Sequence, residues 1–451
     1  MSDELPQGWA IQKLLDVTPL VPTGVPEFYG EVEYYSTGSI QGTKQIPEGY
    51  FSFSNRPSRA NRWVCVGDVL QARMQGTNKV LLINAKITEK LFSTGFLQLR
   101  PDSRICESRY LYRFLSSKQF LDERDSFATG STQIALTDTG AKQLSIPLPP
   151  LPEQRRIVAK LEMLLENVDA CQKRLDKIPF ILKRFRQSVL AAACSGRLTA
   201  DWREKNPSAS EQAPHSDDAD LPEIPESWRW VKLPETGEVT RGRSRHRPRN
   251  EPSLFGGPYP FIQTGDIAQS GGRITTHKQT YSEAGLAQSR LWAAGTICIT
   301  IAANIAESAI LTYPACFPDS VVGIIANPKV AVAEYVEFFI RVAKTDLATF
   351  APATAQKNIN IGILNEVQVP LPPLPEQHEI VRRVEDLFAL ADRIEARYQK
   401  AKAHVDKLTQ SILAKAFRGE LVPQDPNDEP ATELLNRIKK SKKEIAPAKR
   451  K

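Results

Sequence analysis

Two stretches of this chain place an apolar residue at nearly every third or fourth position for the length of a long helix. The first runs Ile157, Leu161, Leu164, Val168, Cys171, Leu175, Ile178, Leu182, Phe185, Val189 and Ala192. The second runs Ile380, Val384, Leu387, Ala391, Ile394, Tyr398, Ala401, Val405, Leu408 and Ile412, until Lys415 breaks it. A stripe sustained over so many turns is the mark of helices that bury one face against each other. The pattern therefore predicts two long helical arms that face each other as a coiled coil; two unrelated amphipathic helices, each packed on its own domain, are the plainer alternative. About 36 residues at 1.5 Å per residue make each arm roughly 54 Å long. Pro179 lacks an amide hydrogen and crowds the preceding turn, so it is expected to kink or split the first arm. The second arm has Lys402 at the matching place and should be straighter.

Outside the arms the pattern shortens. Trp63–Leu70 and Lys79–Ile83 read as strands, followed by a helix over Arg109–Leu121. Gly295–Ile301 and Val321–Ile325 read as strands in the second half, with a helix over Ala333–Ala343. The theme is thus stated twice.

The repetition is literal before each arm. Pro147-Leu148-Pro149-Pro150-Leu151-Pro152-Glu153-Gln154 returns as Pro370-Leu371-Pro372-Pro373-Leu374-Pro375-Glu376-Gln377, an offset of 223 positions. The same offset aligns Gln187–Ala191 with Gln410–Ala414 and Gly196 with Gly419. Upstream it drifts between 219 and 228: Pro6 and Trp9 match Pro225 and Trp228, Thr37-Gly38 matches Thr264-Gly265, and Gly67 matches Gly295. The chain is an internal duplication whose globular parts have diverged in loop length while its arms have not. That contrast suits two modules that read different things on one fixed frame.

Composition narrows the partners. In 451 residues, 59 Lys and Arg against 52 Asp and Glu give a net charge of +7, a mild bias toward an anionic partner. Six cysteines (Cys65, Cys106, Cys171, Cys194, Cys298, Cys316) form no Cys-x-x-Cys and read as buried thiols in a reducing compartment. There is no apolar run long enough to cross a membrane and no signal-peptide pattern, so the expected location is cytoplasmic.

The motifs of catalysis are missing together. His215, His246, His277, His378 and His404 lie far apart, with no zinc-ligand spacing. No Gly-x-x-x-x-Gly-Lys-Ser/Thr, Gly-x-Gly-x-x-Gly or Gly-x-Ser-x-Gly occurs. Asn327-Pro328 lacks the second proline and aromatic of an adenine-amino methyltransferase, and no carboxylate is followed two places on by lysine, the pair of many metal-dependent nucleases. We expect no catalytic residue and no metal site in this chain.

Candidate contact residues are basic and amide side chains. Arg241, Arg243, Arg245, Arg247 and Arg249 alternate, so an extended backbone would present them on one side. Arginine pairs bidentately with phosphate or with the major-groove edge of guanine. A mobile, solvated loop is the plainer reading of the same run. In the first copy Arg56, Arg59 and Arg62 precede a strand, and Arg73 and Lys79 flank a polar turn. Each copy ends in a turn holding glutamine: Gly130–Gln133, and Ala353–Asn358 with Gln356, Lys357 and Asn358. Amides there suit adenine edges or phosphate oxygens, and are also ordinary turn residues. The candidate contact residues are therefore Arg56, Arg59, Arg73, Lys79, Gln133, Arg241, Arg243, Arg245, Gln356, Lys357 and Asn358.

The repeated octet running into a long helix, the closing Leu408–Leu421 and the paired openers Leu5-Pro6-Gln7-Gly8-Trp9 and Ile224-Pro225-Glu226-Ser227-Trp228 resemble the specificity subunit of type I restriction–modification enzymes. The resemblance spans essentially the whole chain. It implies an α+β protein: two duplicated mixed α/β target-recognition domains separated by two long helices that pair as an antiparallel coiled coil. The expected division is recognition domain 1 over 1–150, arm 1 over 151–198, a linker over 199–223, recognition domain 2 over 224–373, arm 2 over 374–421 and a basic tail over 422–451. The resemblance further implies that each domain reads one half of a split site in double-stranded DNA. It implies two methyltransferase subunits docked on the frame, using S-adenosylmethionine, and motor-nuclease subunits using ATP and magnesium. No cofactor is expected on this chain itself.

Overall fold

The structure is a computed structural model of the chain in which residues 5–41, 44–207, 221–245, 248, 250–302, 306–349 and 359–445 are described. Among them, seven helices have eight residues or more: α1 (Ser108–Leu115), α2 (Lys118–Ser126), α3 (Leu151–Leu175), α4 (Ile178–Cys194), α5 (Ala333–Thr349), α6 (Leu374–Phe417) and α7 (Ala431–Ile445). The chain divides into two compact units, Met1–Asp176 with Lys400–Lys451, and Lys177–Gln399. The division cuts across both arms: each unit holds one recognition domain with a stretch of each arm packed against it.

The first arm is two helices. α3 ends at Leu175, four residues before Pro179, where the proline can neither donate to the Leu175 carbonyl nor clear it. α6, with Lys402 in the matching place, runs unbroken for 44 residues.

In unit 1 the sheet Phe96–Leu99, Val69–Ala72, Val80–Leu82 is antiparallel in that strand order. Beside it lies a mixed four-stranded sheet ordered Gly49–Phe51, Val32–Tyr35, Leu91–Ser93, Ala60–Trp63. The run predicted as one strand over Trp63–Leu70 is the end of one strand and the start of another. Asp68 turns the chain between them by accepting from the Cys65 amide at 2.9 Å, and it is itself held by Arg100 at 2.7 Å. The predicted helix over Arg109–Leu121 likewise divides into α1 and α2, because the Ser117 hydroxyl caps a new helix by accepting from the Phe120 amide. The core gathers Trp9, Leu111, Phe114 and Ile146 with Ile157 and Leu161 of α3 and Leu413 and Phe417 of α6. Asp176 meets Lys402 at 3.1 Å while Glu153 meets Gln424, so the two arms run antiparallel here.

The C-terminal stretch departs from its reading as a basic tail. α7 carries Ala431, Leu434, Leu435 and Ile438 on one face, and all four are buried in the unit 1 core. Their spacing of three and four is a helical apolar stripe, overlooked among the surrounding lysines.

In unit 2 the three-strand order recurs as Val321–Ala326, Ile297–Thr300, Ser308–Leu311. Here it is widened by Gly237–Arg241 on one edge and Arg273–Ile274, parallel, on the other. In unit 1 only a single bridge, Leu20 to Leu99, lies alongside the matching edge strand among the described residues. The core joins Trp228, Ile299, Tyr335 and Val336 with Val189 and Leu190 of α4 and Ile380 and Val384 of α6. Arg186 of α4 binds Asp392 at 2.7 Å and Glu395 at 2.9 Å, and Arg383 binds Asp201 at 2.6 Å, again an antiparallel pairing. The linker expected from residue 199 begins later, since Ala200–Lys205 is a short helix on this frame. Cys65 and Cys171, expected to be buried, are exposed: the first sits beside the Asp68 turn and the second on the outer side of α3. The other four are buried, and burial pushes the Cys106 and Cys298 thiols up.

Candidate nucleic-acid interface

Each recognition domain is fixed to the arms by the same set of contacts, and the repeated octet supplies most of them. Residues just before the octet's helix form a strand: Ala10–Lys13 pairs with Ser145–Leu148, and Arg229–Lys232 pairs with Gln368–Leu371. Tyr110 donates to the Pro147 carbonyl at 2.7 Å, and Tyr335 donates to that of Pro370. Gln154 donates to Ile105 and Pro149 and accepts from the Glu107 amide at 2.9 Å. Gln377 donates to Val330 and Pro372 and accepts from the Val332 amide at 2.7 Å. One buried amide thereby satisfies three backbone groups, two just before α1 or α5 and one just before α3 or α6, as burial requires.

The glutamates of the octet differ between the copies. Glu376 is fully buried and accepts from Trp228 Nε1 at 2.9 Å, from the Thr199 hydroxyl at 2.7 Å and from Arg203. Glu153 lies beside Trp9 without a close bond to its indole nitrogen and accepts from Gln424 at 3.3 Å. Burial holds its carboxyl above the usual range, opposed by Trp9, Gln424 and Arg156. The arms end alike: Gly196 and Gly419 have φ of +77° and +76°, and a Cβ on either would stand 2.4 Å from Pro225 or 2.2 Å from Pro6. Only glycine fits a left-handed turn pressed on the opener's proline.

On this frame the sequence candidates fare unequally. In unit 2, Arg241 ends the edge strand and donates to the Asp319 carbonyl, and Arg243 and Arg245 follow beyond the strand's end. All three are exposed while Gly242 and Ser244 between them are buried, so the arginines share one side. Neither Arg243 nor Arg245 pairs with a carboxylate among the described residues. Arg247 and Arg249 lie outside the described residues, as do Gln356, Lys357 and Asn358.

In unit 1, Arg73 is occupied by its own fold: it donates to the carbonyls of Phe96 and Leu136 and binds Asp138 at 2.6 Å. Lys79 donates to the Thr37 carbonyl at 2.7 Å. Arg56 donates to the Phe53 carbonyl and lies over its ring at 4.2 Å. Arg59 and Gln133 are exposed. Arg62, in the same basic run, is buried, and burial beside Arg73 lowers its guanidinium to about 10. Sequence reasoning passed over the loop bearing Tyr29, which is 95% exposed and anchored by Phe28 stacked on Trp63 at 5.4 Å. Its signal was the aromatic pair Phe28-Tyr29 between turn residues.

Among the described residues no three His, Cys, Asp or Glu side chains converge as a metal site, and no helix is long and apolar enough to cross a membrane. Duplicated mixed domains, each clamped by the same octet to antiparallel arms, define the class. The chain belongs to the type I restriction modification DNA specificity domain family, whose signature matches residues 6–179 and again 225–403. It is 31% identical to the type I restriction enzyme EcoDI specificity subunit of Escherichia coli, over 91% of this chain and 93% of that one. It is 28% identical to the EcoKI specificity subunit of E. coli K12, over 97% and 96% of the two chains. Its fold resembles that of the HsdS subunit from Thermoanaerobacter tengcongensis, with a TM-score of 0.64 at 24% identity over 92% of this chain and 98% of that one. A chain from a structure of type I restriction–modification complex assembly and conformational transition gives 0.71 at 24% identity, over 92% and 99%.

Proposed function

We propose that this chain is the non-catalytic DNA-recognition subunit of a type I restriction–modification complex, reading a split and asymmetric site in double-stranded DNA. The observation that carries this reading is the clamp of octet strand, tyrosine and glutamine repeated on two unlike readers: the frame recurs while the edges that could meet DNA differ. Two half-sites read from one duplex lie about one helical turn apart, roughly 34 Å. In the second reader Arg241, Arg243 and Arg245 form the contact ridge. In the first, Arg59 and Gln133 are the free candidates, with Arg56, Arg73 and Lys79 shaping the surface that carries them. Base edges give the specificity and phosphates much of the affinity.

The frame docks two methyltransferase subunits, which hold S-adenosylmethionine and modify adenine. Motor-nuclease subunits that use ATP and magnesium complete the assembly in the cytoplasm. Mapping methylated adenines in cells that express this chain with its methyltransferase tests the reading. It expects one bipartite motif with two different halves; methylation scattered without a motif, or a palindromic one, would overturn it. An adaptor that never touches DNA would leave the methylation pattern unaffected by loss of this chain.

A further inference from the structure

We propose that a groove in unit 1, between the first turn of α3 and the outer side of α7, seats an acidic and partly apolar segment of a methyltransferase subunit. This rests on the assembly proposed above. The groove has a volume of about 560 Å³. Leu151 and Pro152 of α3 and Leu434 and Ile438 of α7 give it an apolar floor. Arg104, Arg155 and Arg437 stand around it, with Glu429 in the lining and Asp102 beside Arg104.

Arg104 is held by Asp102 at 2.7 Å and Arg437 by Glu429 at 2.7 Å, and both arginines remain more than half exposed. Arg155 is exposed and has no ion pair among the described residues. A guanidinium rim selects carboxylate or phosphate. The floor decides between them, because a phosphodiester backbone offers nothing apolar to cover Leu151 and Pro152, which remain part-exposed and exposed beside the buried Leu434 and Ile438. A peptide with acidic residues flanking an apolar one satisfies both parts, the mode by which a groove takes a partner's segment.

The second copy does not repeat these residues in its sequence: the constant offset sets His378 opposite Arg155. The constant offset sets α7 opposite residues 208–222, and Ser208–Asp220 contain no Leu, Ile, Val, Phe or Met but carry Glu211, Asp217, Asp218 and Asp220. The two methyltransferase positions are therefore unequal, with one strengthened by the groove.

The test measures assembly of the full chain with its purified methyltransferase subunit by native mass spectrometry and sedimentation. The wild type is expected to bind two copies. Arg155→Glu should weaken one of them by about tenfold or more and leave the other unchanged, while Arg155→Lys stays near wild type. Ser441→Trp, which fills the groove without changing charge, should weaken the same copy. Two copies bound at wild-type affinity by both Arg155→Glu and Ser441→Trp would overturn the groove alone. So would a loss confined to DNA binding, which would mark a phosphate site instead. A wild type that binds no methyltransferase would overturn the assembly reading and the groove with it.

Discussion

Glu376 and Glu153 occupy one position of the repeated octet, yet their surroundings assign them different energies. Glu376 is enclosed by three donors, one of them the guanidinium of Arg203, so its loss strands a largely buried charge. Glu376→Ala should destabilise unit 2 by roughly 3–5 kcal/mol. Glu153→Ala removes a weaker, uncharged contact to Gln424 and should cost unit 1 clearly less. Denaturant unfolding of the two variants checks the order; equal losses would refute it. Glu337 offers a second reading at this scale. It is buried between Ser308 and Arg341, and burial raises its carboxyl to about 6, with Arg341, Ser308 and Arg273 working against the rise. Between its ordinary value near 4.5 and 6, the folded state keeps a proton that the unfolded state has released. Stability should therefore fall as pH rises through that window, by about 2 kcal/mol at most, and be level above it. Glu337→Gln should abolish that slope in unfolding measurements from pH 4.5 to 6.5.

Among the elements, the edge strand Gly237–Arg241 makes the sharpest difference between the readers. It adds a strand that the first reader lacks among the described residues, and its continuation carries the arginine ridge. Replacing Arg241, Arg243 and Arg245 with alanine should weaken DNA binding and flatten its salt dependence, each lost phosphate contact lowering the log–log slope by about 0.9. A lost guanine contact would also relax one base position by ~1–3 kcal/mol. Only the half-site of the second reader should respond. An unchanged slope and methylation pattern would return the run to a solvated strand end. α7 teaches a related lesson: burying four apolar side chains at about 1.5–3 kcal/mol for each large one makes it part of a core, whatever its outward charge.

For the whole molecule, the arms are the proposed ruler between half-sites. The unit boundary falls at Asp176/Lys177 in the first arm and at Gln399/Lys400 in the second, between the two clamps. Four residues inserted at both places add roughly 6 Å of helix, close to two base pairs. The methylated motif should then keep both half-sites and gain a longer spacer. Altered half-site bases with an unchanged spacer would show that the arms do not measure the gap.

The sequence alone determined the duplication, the helical arms and the break at Pro179, because each depends on local chemistry: a literal repeat, a period of three and four, and a missing amide hydrogen. It also set the alternation of Arg241, Arg243 and Arg245, since an extended backbone must present every second residue alike. Tertiary structure decided the rest. Arg73 and Lys79 looked free in the chain and proved bound to carbonyls and a carboxylate distant in sequence, which no window of neighbours reveals. α7 looked like a solvated tail because its lysines outnumber the leucines that face inward. The role of the octet's Glu and Gln was hidden for the same reason. Their partners, Trp228, Thr199 and Val332 in one unit and Gln424 and Glu107 in the other, come together only when strand, helix and arm close around them.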